Sequence, residues 1–492
     1  MINISDQKFL KDVLTIGIAQ AIMGIGGFLV LPLITKTLGS YSYGLWYQIV
    51  ITISLLTSLS QLGLTNSMIR FLAAEKDPVK INEGFLSIVF FVTSLGLAFS
   101  LTVFFLSDII ALILFNDISI SFLIKAGSFL ILFNAVAQIS IYYFRIFQQT
   151  IKFSIFTICQ AFGQIFLMYV FISFGLGIFG AIIGSLLAQI FIFLLSIFFV
   201  IKEIGFAIPK FTALPLYLRY GLPLAPMLIL DWLKNSNDRY LITFFLGIQV
   251  QGIYSAAFLI GSITMILVLP LQMILLHRLS QIFDENKLDQ VINLLNDSVK
   301  YFALLALPTA FGLSFLAVPL LNIITTPDFS VGAPLIPFFA FGGVFFGLTQ
   351  IWSNIMQLVK KTHIVLYVYL FIAILNISLN FILVPFMGIL GAAISSFCSY
   401  LVMAVLTYLI TIRYLKIHID YKFFIKSMTA SVLMGFALLL LHPITLVQIT
   451  SSVILGILIY FSLLFIFKGF NKDEIKFAET IFLHFLGTLR KA

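Results

Sequence analysis

Residues 221–245, GLPLAPMLILDWLKNSNDRYLITFF, have the length and the apolar ends of a membrane-spanning helix but a charged middle. That middle carries Asp231, Lys234, Asn235, Asp238 and Arg239. At about 3.6 residues per turn the first four fall at i, i+3, i+4 and i+7, so they share one stripe of the helix, with Arg239 beside it. An ionised side chain at the bilayer centre costs about 2.5 to 3.5 kcal/mol. The stripe is therefore expected to face a bundle interior or a water-filled cavity, and not lipid.

Two interpretations of this stripe stay open. In the first, its two acids and two bases pair with one another and lock neighbouring helices together. In the second, the stripe lines the path of an anionic or ion-coupled substrate. We favour the second because charges inside membrane spans more often mark transport paths.

The composition of the whole chain indicates a polytopic membrane protein. Of its 492 residues, 61% are hydrophobic and only 10% are charged. The mean hydropathy of +1.15 is far above that of soluble domains. A spanning helix needs about 20 mostly apolar residues, and this criterion predicts about fourteen spans. They lie near residues 13–35, 45–69, 85–106, 118–144, 152–174, 178–200, 219–245, 252–276, 299–323, 333–358, 364–386, 389–412, 425–441 and 447–467.

The distribution of the 28 lysines and arginines predicts the topology. All but four of them lie in the N-terminal lead, in alternate loops or in the C-terminal tail, and the intervening loops contain none. The exceptions are Lys36, Lys125, Lys234 and Arg239. By the positive-inside rule, both termini and the basic loops are cytoplasmic. The net charge of +9 then reflects topology and attraction to membrane lipids, and it does not indicate nucleic-acid binding.

The two halves of the chain share landmarks in the same order. A Leu-Gly pair followed by a further glycine occurs at 38–44 and again at 246–252, Arg70 recurs as Arg278, and GIFGAIIGS at 177–185 is echoed by GILGAAISS at 388–396. Glycine-rich turns recur in many helical membrane proteins, but three landmarks at nearly one spacing favour a duplicated chain. Six spans in each half would give both copies the same orientation.

The prediction is an all-α integral membrane protein with two six-helix lobes, 1–208 and 209–412, related by a pseudo-twofold axis along the membrane normal. A helix pair and a cytoplasmic amphipathic tail complete the chain within 413–492.

Polar side chains inside the spans supply further candidates. Amides hold helices together at about 1 kcal/mol each, and we expect that role for Asn134, Gln138, Gln160, Gln164, Asn376 and Asn380. Those on the first, second, seventh and tenth predicted helices are candidates for a hydrophilic path: Gln20, Gln48, Asn66, Asn235, Gln350 and Asn354. Arg70 and Arg278, at the end of the second helix of each half, are candidates for a cytoplasmic gate.

Nothing in the sequence indicates catalysis. There is no G-x-x-x-x-G-K-[ST] nucleotide-binding loop, the outward loops carry few acids, and the five histidines lack metal-ligand spacing. Cys159 and Cys398 lie in apolar segments and are expected to serve as small hydrophobic residues. We therefore expect a protein that is not an enzyme and has no cofactor other than a coupling cation.

The 38–46 turn, the Leu62-Gly63-Leu64 run leading to Arg70, and the 388–396 stretch resemble those of polysaccharide transporters. These belong to the multidrug/oligosaccharidyl-lipid/polysaccharide exporter superfamily, and the likeness is to its Wzx-type O-antigen flippases in particular. The resemblance covers the whole chain. It implies a MATE-like, V-shaped pair of lobes around a cavity that opens to each face in turn.

The resemblance also implies the cargo and the residues that hold it. The cargo would be a polyprenyl-diphosphate-linked oligosaccharide that moves to the outer leaflet of the cell membrane, and a polysaccharide polymerase or glycosyltransferases would be partners. Lys234 and Arg239 would hold the anionic head, and Asp231 and Asp238 would bind a coupling Na+ or H+. The first helix lacks a cluster of arginines, which makes lipid II a less expected cargo.

The sequence analysis thus favours a flippase for lipid-linked oligosaccharide. The alternatives are a cation-coupled multidrug exporter of the same superfamily, whose loss would raise drug sensitivity, and a membrane scaffold or enzyme of glycan assembly, which would make bonds instead of moving lipid.

Overall fold

The computed structural model describes the backbone of residues 4–470, and within it all side chains except those of residues 4–21, 23, 25, 231, 235 and 273. Every regular element in this part of the chain is helical. The α-helices are α1 (Ile4–Gln61), α2 (Leu64–Ser67), α3 (Pro78–Phe115), α4 (Ser121–Ile146), α5 (Thr150–Phe171), α6 (Gly177–Ile204), α7 (Leu214–Gly221), α8 (Ala225–Leu246), α9 (Ile248–Gly261), α10 (Ile263–Ile266), α11 (Leu269–Asp284), α12 (Leu288–Phe315), α13 (Ala317–Ile324), α14 (Ile336–Leu358), α15 (Thr362–Met387), α16 (Ile389–Thr411), α17 (Tyr421–Leu439) and α18 (Leu446–Ile466). The predicted tail helix lies, from residue 471 on, outside the described residues.

Eleven helical stretches of the described residues are long and apolar enough to cross a membrane. Two of these stretches, Gly26–Gln61 and Thr150–Ile204, each overlap two predicted spans. The first contains a break at Gly39, where φ is 81°, and the second contains a break at Gly175, where φ is 82°. The predicted span 219–245 is not among the eleven, since its helix α8 carries four charged residues. The chain is an all-α, multi-pass membrane protein, as predicted, and the count of fourteen spans stays a prediction.

The helices form two compact units, and each has its own core. The first contains the chain through Leu259, together with Ile324–Gly332 and Leu366–Ser395. It thus includes α7, α8 and most of α15 in addition to residues 1–208. The second contains Ile260–Ile323, Ala333–Val365 and the chain from Ser396 onward. The lobe boundaries at 208 and 412 stay a prediction.

Aromatic packing fills the core of the first unit. Phe144 of α4 stacks on Phe156 of α5 with 5.0 Å between the ring centroids, and Phe85 of α3 meets Tyr143 of α4 edge-on at 5.1 Å. All four side chains are buried, and aromatic pairs of this kind add to the free energy gained from burial alone.

Glycines let helices of the second unit approach one another around bulky rings. A Cβ atom on Gly347 of α14 would lie 2.0 Å from the Phe302 ring of α12, and one on Gly435 of α17 would lie 2.1 Å from the Phe315 ring. The helix pair α17 and α18 is joined by a 2.8 Å hydrogen bond between the hydroxyls of Ser427 and Tyr460. The C-terminal pair is therefore packed on the core of this unit and is not a separate attachment.

Equivalent glycines of the sequence repeat perform the same structural task. A Cβ atom on Gly180 of α6 would lie 2.7 Å from the carbonyl oxygen of Phe171, at the end of α5. Likewise, one on Gly391 of α16 would lie 2.4 Å from the carbonyl oxygen of Leu383 in α15. Each glycine lets consecutive helices turn back on each other at backbone contact, which a side chain would prevent.

A second pair of repeat glycines, Gly44 of α1 and Gly252 of α9, meets inside the first unit. A Cβ atom on Gly44 would lie 2.1 Å from the carbonyl oxygen of Ile248, and one on Gly252 would lie 2.4 Å from that of Ser40. The backbones of α1 and α9 are therefore in direct contact at the landmarks that the two halves share.

Candidate functional site

Glycine and proline residues fix the start of α8, the helix that carries the charges. Pro223 and Pro226 lie in the turn and first residues of α8, where the missing N–H group costs no helical hydrogen bond. The backbone at Gly221, just before α8, lies against the end of α1. A Cβ atom on Gly221 would lie only 2.7 Å from the carbonyl oxygen of Leu62, so only glycine allows this close approach. The helix ends at Gly247, which has a φ of 88°.

The charged side chains of α8 that the structure describes are all buried. The exposed fraction is 5% for Lys234, 3% for Asp238 and 2% for Arg239. Asp231 and Asn235, two further predicted members of the stripe, have side chains outside the described residues. Lys234 and Asp238 therefore face the protein interior, as predicted for the stripe. Arg239, which lies beside the stripe, is buried as well.

Arg239 and Asp238 form an ion pair inside an aromatic enclosure. The Arg239 Nη1 atom donates to Asp238 Oδ1 at 2.6 Å, and the Tyr254 hydroxyl of α9 donates to the other carboxylate oxygen. The guanidinium carbon lies 4.0 Å from the Phe258 ring centroid and 5.9 Å from that of Tyr47. Cation–π contacts of this kind strengthen when water is excluded, so the pair ties α8 to α9 and α1.

Lys234 and Asn237 face α15. The Lys234 Nζ atom lies 4.3 Å from the ring centroid of Tyr369. Asn237 donates to the side-chain oxygen of Asn376 at 2.7 Å, and Asn380 donates to the same oxygen at 3.0 Å. Asn376 thus joins α15 to α8, as predicted, whereas the hydrogen bonds of the Asn380 amide stay within α15.

The opposite side of α8 is tied to the second half of α1. Trp232 Nε1 donates to the carbonyl oxygen of Ile51 at 3.1 Å. The hydroxyl of Tyr240 lies 2.6 Å from the hydroxyl of Thr52. The hydroxyl of Thr243 donates to Gln48 Oε1 at 3.4 Å. Gln48 is 1% exposed. Gln48 thus lies beside α8, and its place on a substrate path stays a prediction.

Asn66 and Arg70, two further predicted residues, lie together in an open cleft of the first unit. The cleft has a volume of about 480 Å3 and is also lined by Ile69, Tyr220 and Leu224. Both polar side chains are exposed. The cleft therefore offers a guanidinium and an amide to solvent near the start of α8.

Three further predicted residues belong to the second unit. In the second unit, Arg278 is exposed, Gln350 is half-buried, and Asn354 is buried with its amide donating to the carbonyl oxygens of Gln350 and Ile351 at 3.0 and 3.1 Å. The side chain of Gln20 lies outside the described residues.

Sequence reasoning missed the partners of the stripe. Tyr254, Phe258 and Tyr369 come from other helices, and aromatic residues are too common in this chain, with 55 phenylalanines and 18 tyrosines, to stand out. Asn237 did carry a usable signal, because it lies three residues after Lys234 and so on a neighbouring face of the same helix.

Relatives among curated proteins include two flippases. The chain is 22% identical over 244 residues to the "Probable low-salt glycan biosynthesis flippase Agl15" of Haloferax volcanii, a match that covers 49% of this chain and 52% of the relative. It is 26% identical over 222 residues to the "Probable lipid II flippase MurJ" of Rickettsia prowazekii, covering 41% of this chain and 44% of the relative. These matches span about half or less of the length of the curated relatives.

Solved structures share the fold over most of the chain. A lipid II flippase MurJ in an inward closed conformation superimposes with a TM-score of 0.75 at 19% identity, covering 92% of this chain and 98% of that one. An inward-facing MATE-family multidrug resistance transporter superimposes with a TM-score of 0.67 at 14% identity, covering 80% and 97%. The chain therefore shares its fold with these two transporters.

The match to a protein family is more extensive than the pairwise sequence matches. A family described as "Polysaccharide biosynthesis protein" matches residues 33–334, a range that includes α8 and its contacts with α1 and α9. Since this match covers more than half of the chain, the protein belongs to the polysaccharide biosynthesis protein family.

Proposed function

We propose that the protein is a flippase that moves a polyprenyl-diphosphate-linked oligosaccharide, such as an O-antigen repeat unit, from the cytoplasmic to the outer leaflet by alternating access. The observation that carries the proposal is the burial of Lys234, Asp238 and Arg239 on one helix of a membrane-embedded bundle. Membership of a polysaccharide biosynthesis family and the flippase names of the relatives support it.

The chemistry of the cargo explains why such a helix is needed. A diphosphate is strongly hydrated, so its passage through hydrocarbon is slow unless the protein replaces the water with polar and cationic groups. In this proposal the sugar and diphosphate enter the protein while the polyprenyl tail stays in the bilayer. Lys234 and Arg239 then stabilise the head group at mid-membrane.

The cleft at Asn66 and Arg70 is the proposed entry point. The positive-inside rule assigns this end of the helices to the cytoplasm, where polyprenyl-linked units would be collected. A guanidinium binds phosphate oxygens through two parallel hydrogen bonds, so the exposed Arg70 suits a first contact with the diphosphate. Arg278 has the equivalent place in the other half and is proposed as its counterpart.

A coupling cation and protein partners complete the proposal. Asp231 and Asp238 are the proposed sites for Na+ or H+, and Asp238 would have to exchange its bonds with Arg239 and Tyr254 during each cycle. A polymerase or glycosyltransferases that make and use the lipid-linked unit are the proposed partners.

Reconstitution tests the activity directly. Purified protein in vesicles that contain a polyprenyl-diphosphate-linked glycan labelled in one leaflet should move the label to the other leaflet, which a membrane-impermeant quencher detects. Formation of new glycosidic bonds in the vesicles would instead indicate an enzyme. Drug uptake without lipid movement would indicate a multidrug exporter, and either result would contradict the proposal.

A further inference from the structure

A polar cavity lies inside the first unit, among α1, α4, α5 and α6. Its volume is about 270 Å3. A single water needs only about 10 to 15 Å3 of such space, so the cavity is large enough for a small polar ligand. The lining side chains are Trp46, Val50, Ile53, Ser54, Thr57, Ser58, Leu130, Asn134, Gln138, Gln164, Ser185 and Gln189.

The chemistry of this lining differs from that of α8. Eight of the lining side chains are amides or hydroxyls, and none of the lining residues that the structure describes is charged. Amides and hydroxyls both donate and accept hydrogen bonds, as sugar hydroxyls do. A cavity with these groups and no countercharge suits an uncharged polyol and does not suit phosphate, which needs cationic partners.

Hydrogen bonds within the first unit hold several of the amides in place. Gln164 donates to the Ser185 hydroxyl at 3.2 Å, and Gln189 accepts from Gln160 at 2.8 Å. Gln138 accepts from Gln61 of α1 at 2.8 Å. Side chains fixed in this way lose less conformational entropy when a ligand binds.

One lining hydroxyl is buried without a bond to the protein. Thr57 is 4% exposed, and its Oγ1 atom has no hydrogen-bond partner in the described part of the chain. A buried hydroxyl that makes no bond is costly. Thr57 lies in the lining of this cavity, so its hydroxyl is the lining group with most to gain from a hydrogen bond to a ligand.

The cavity also has an aromatic wall and a connection to α8. Trp46 of α1, which is 5% exposed, supplies the aromatic part of the lining. Ser54, which lines the cavity, accepts a 3.2 Å hydrogen bond from Trp232 of α8. The cavity thus adjoins the helix that carries the buried charges.

We propose that this cavity is a binding site for an uncharged sugar ring of the transported glycan, while the charges of α8 serve its phosphates. This assignment rests on the proposed flippase function and adds a second recognition site to it. It predicts that affinity depends on the sugar through residues that do not affect binding of the bare lipid diphosphate.

Two conservative variants test the site. Thr57→Val keeps the shape of the side chain and removes only the unpartnered hydroxyl, so the folded protein loses no internal hydrogen bond. Asn134→Ala removes a half-buried amide of α4 from the lining. The matched control is Thr157→Val, since Thr157 is also buried but donates to the carbonyl oxygen of Phe153 at 2.8 Å and does not line the cavity.

The measurement is equilibrium binding by the full-length protein in nanodiscs with two probes: undecaprenyl diphosphate bearing one N-acetylhexosamine, and the same lipid without sugar. We expect each cavity variant to bind the sugar-bearing lipid about three to ten times more weakly, the value of one or two hydrogen bonds. Binding of the sugar-free lipid should be unchanged, and the control should match wild type with both lipids.

The outcomes separate this site from the flippase proposal. If wild type binds both lipids equally well, or if the cavity variants retain its preference for the sugar-bearing lipid, the sugar site is wrong while the flippase proposal stands. If wild type binds neither lipid, the flippase proposal fails and the sugar site fails with it.

Discussion

Arg239 is the residue whose surroundings most constrain its role. It is 2% exposed, paired with Asp238, and packed against the ring of Phe258. Taking both charges out of water is expensive, and their attraction offsets the cost only while both are present. In the conformation that the structure describes, the pair therefore stabilises the contact between α8 and α9.

Removing one member of this pair should be worse than removing both. We expect Arg239→Leu to destabilise the protein by about 3 to 5 kcal/mol, because it leaves a buried carboxylate without its countercharge. The double variant Asp238→Asn with Arg239→Leu should recover most of this loss. Thermal unfolding of the purified variants in detergent measures both effects, and equal melting temperatures for the single and double variants would show that the ion pair is not what matters.

Replacement of Lys234 is expected to affect transport and not folding. Lys234→Ala should lower surface polysaccharide while the amount of protein in the membrane stays at the wild-type level, and Lys234→Arg should restore part of the export because it keeps the charge. Lys80→Ala, which removes an exposed lysine at the start of α3, is the control and should have no effect. Normal export by Lys234→Ala would remove this residue from the path.

Much of the residue-scale result was predictable from sequence. The cost of charge in a bilayer predicted a buried stripe, and Lys234 and Asp238 are buried accordingly. Helical periodicity could not supply Tyr254 or Tyr369, because these partners lie on other helices and are brought to α8 only by tertiary packing.

At the scale of elements, the repeat glycines determine how closely the helices approach. The 208-residue spacing linked Gly44 to Gly252 in sequence, and the structure places these two glycines in backbone contact. The spacing predicted equivalence, but it could not predict that equivalent residues touch. That contact follows from how α1 and α9 pack within the first unit.

A methyl group at this contact should prevent its formation. Gly252→Ala would bring a Cβ atom to 2.4 Å from a backbone oxygen, and overpacking of this kind costs about 1 to 3 kcal/mol. If alternating access requires α1 and α9 to close here, export should fall by about tenfold or more. Gly163→Ala is the matched control, since nothing lies within 4 Å of its added carbon, and equal export by the two variants would contradict the requirement.

At the scale of the whole molecule, composition predicted the all-α membrane fold, and the charge pattern predicts its orientation. The number of spans was harder to predict for two reasons. The helix α8 carries too many charged residues to be counted as a span by composition, and two helices joined at a glycine break are counted as a single helical stretch. The cargo could not be predicted from these features, since polar groups inside spans do not name it.

The orientation is testable with single cysteines. In a background with Cys159→Ala and Cys398→Ala, Ser119→Cys should react with a membrane-impermeant maleimide in intact cells, because the loop between α3 and α4 has no lysine or arginine. Lys76→Cys lies in a basic loop and should react only after the membrane is permeabilised. The reverse pattern would invert the proposed direction of transport.

The central claim is that the protein moves a lipid-linked oligosaccharide across the membrane. The most direct measurement is mass spectrometry of lipid extracts from cells that lack the protein, combined with a probe of the leaflet that holds any polyprenyl-linked glycan. We predict that a completed lipid-linked oligosaccharide accumulates facing the cytoplasm, which would also identify the cargo. Absence of any such lipid, together with increased drug sensitivity, would contradict the claim and assign the charges of α8 to drug export.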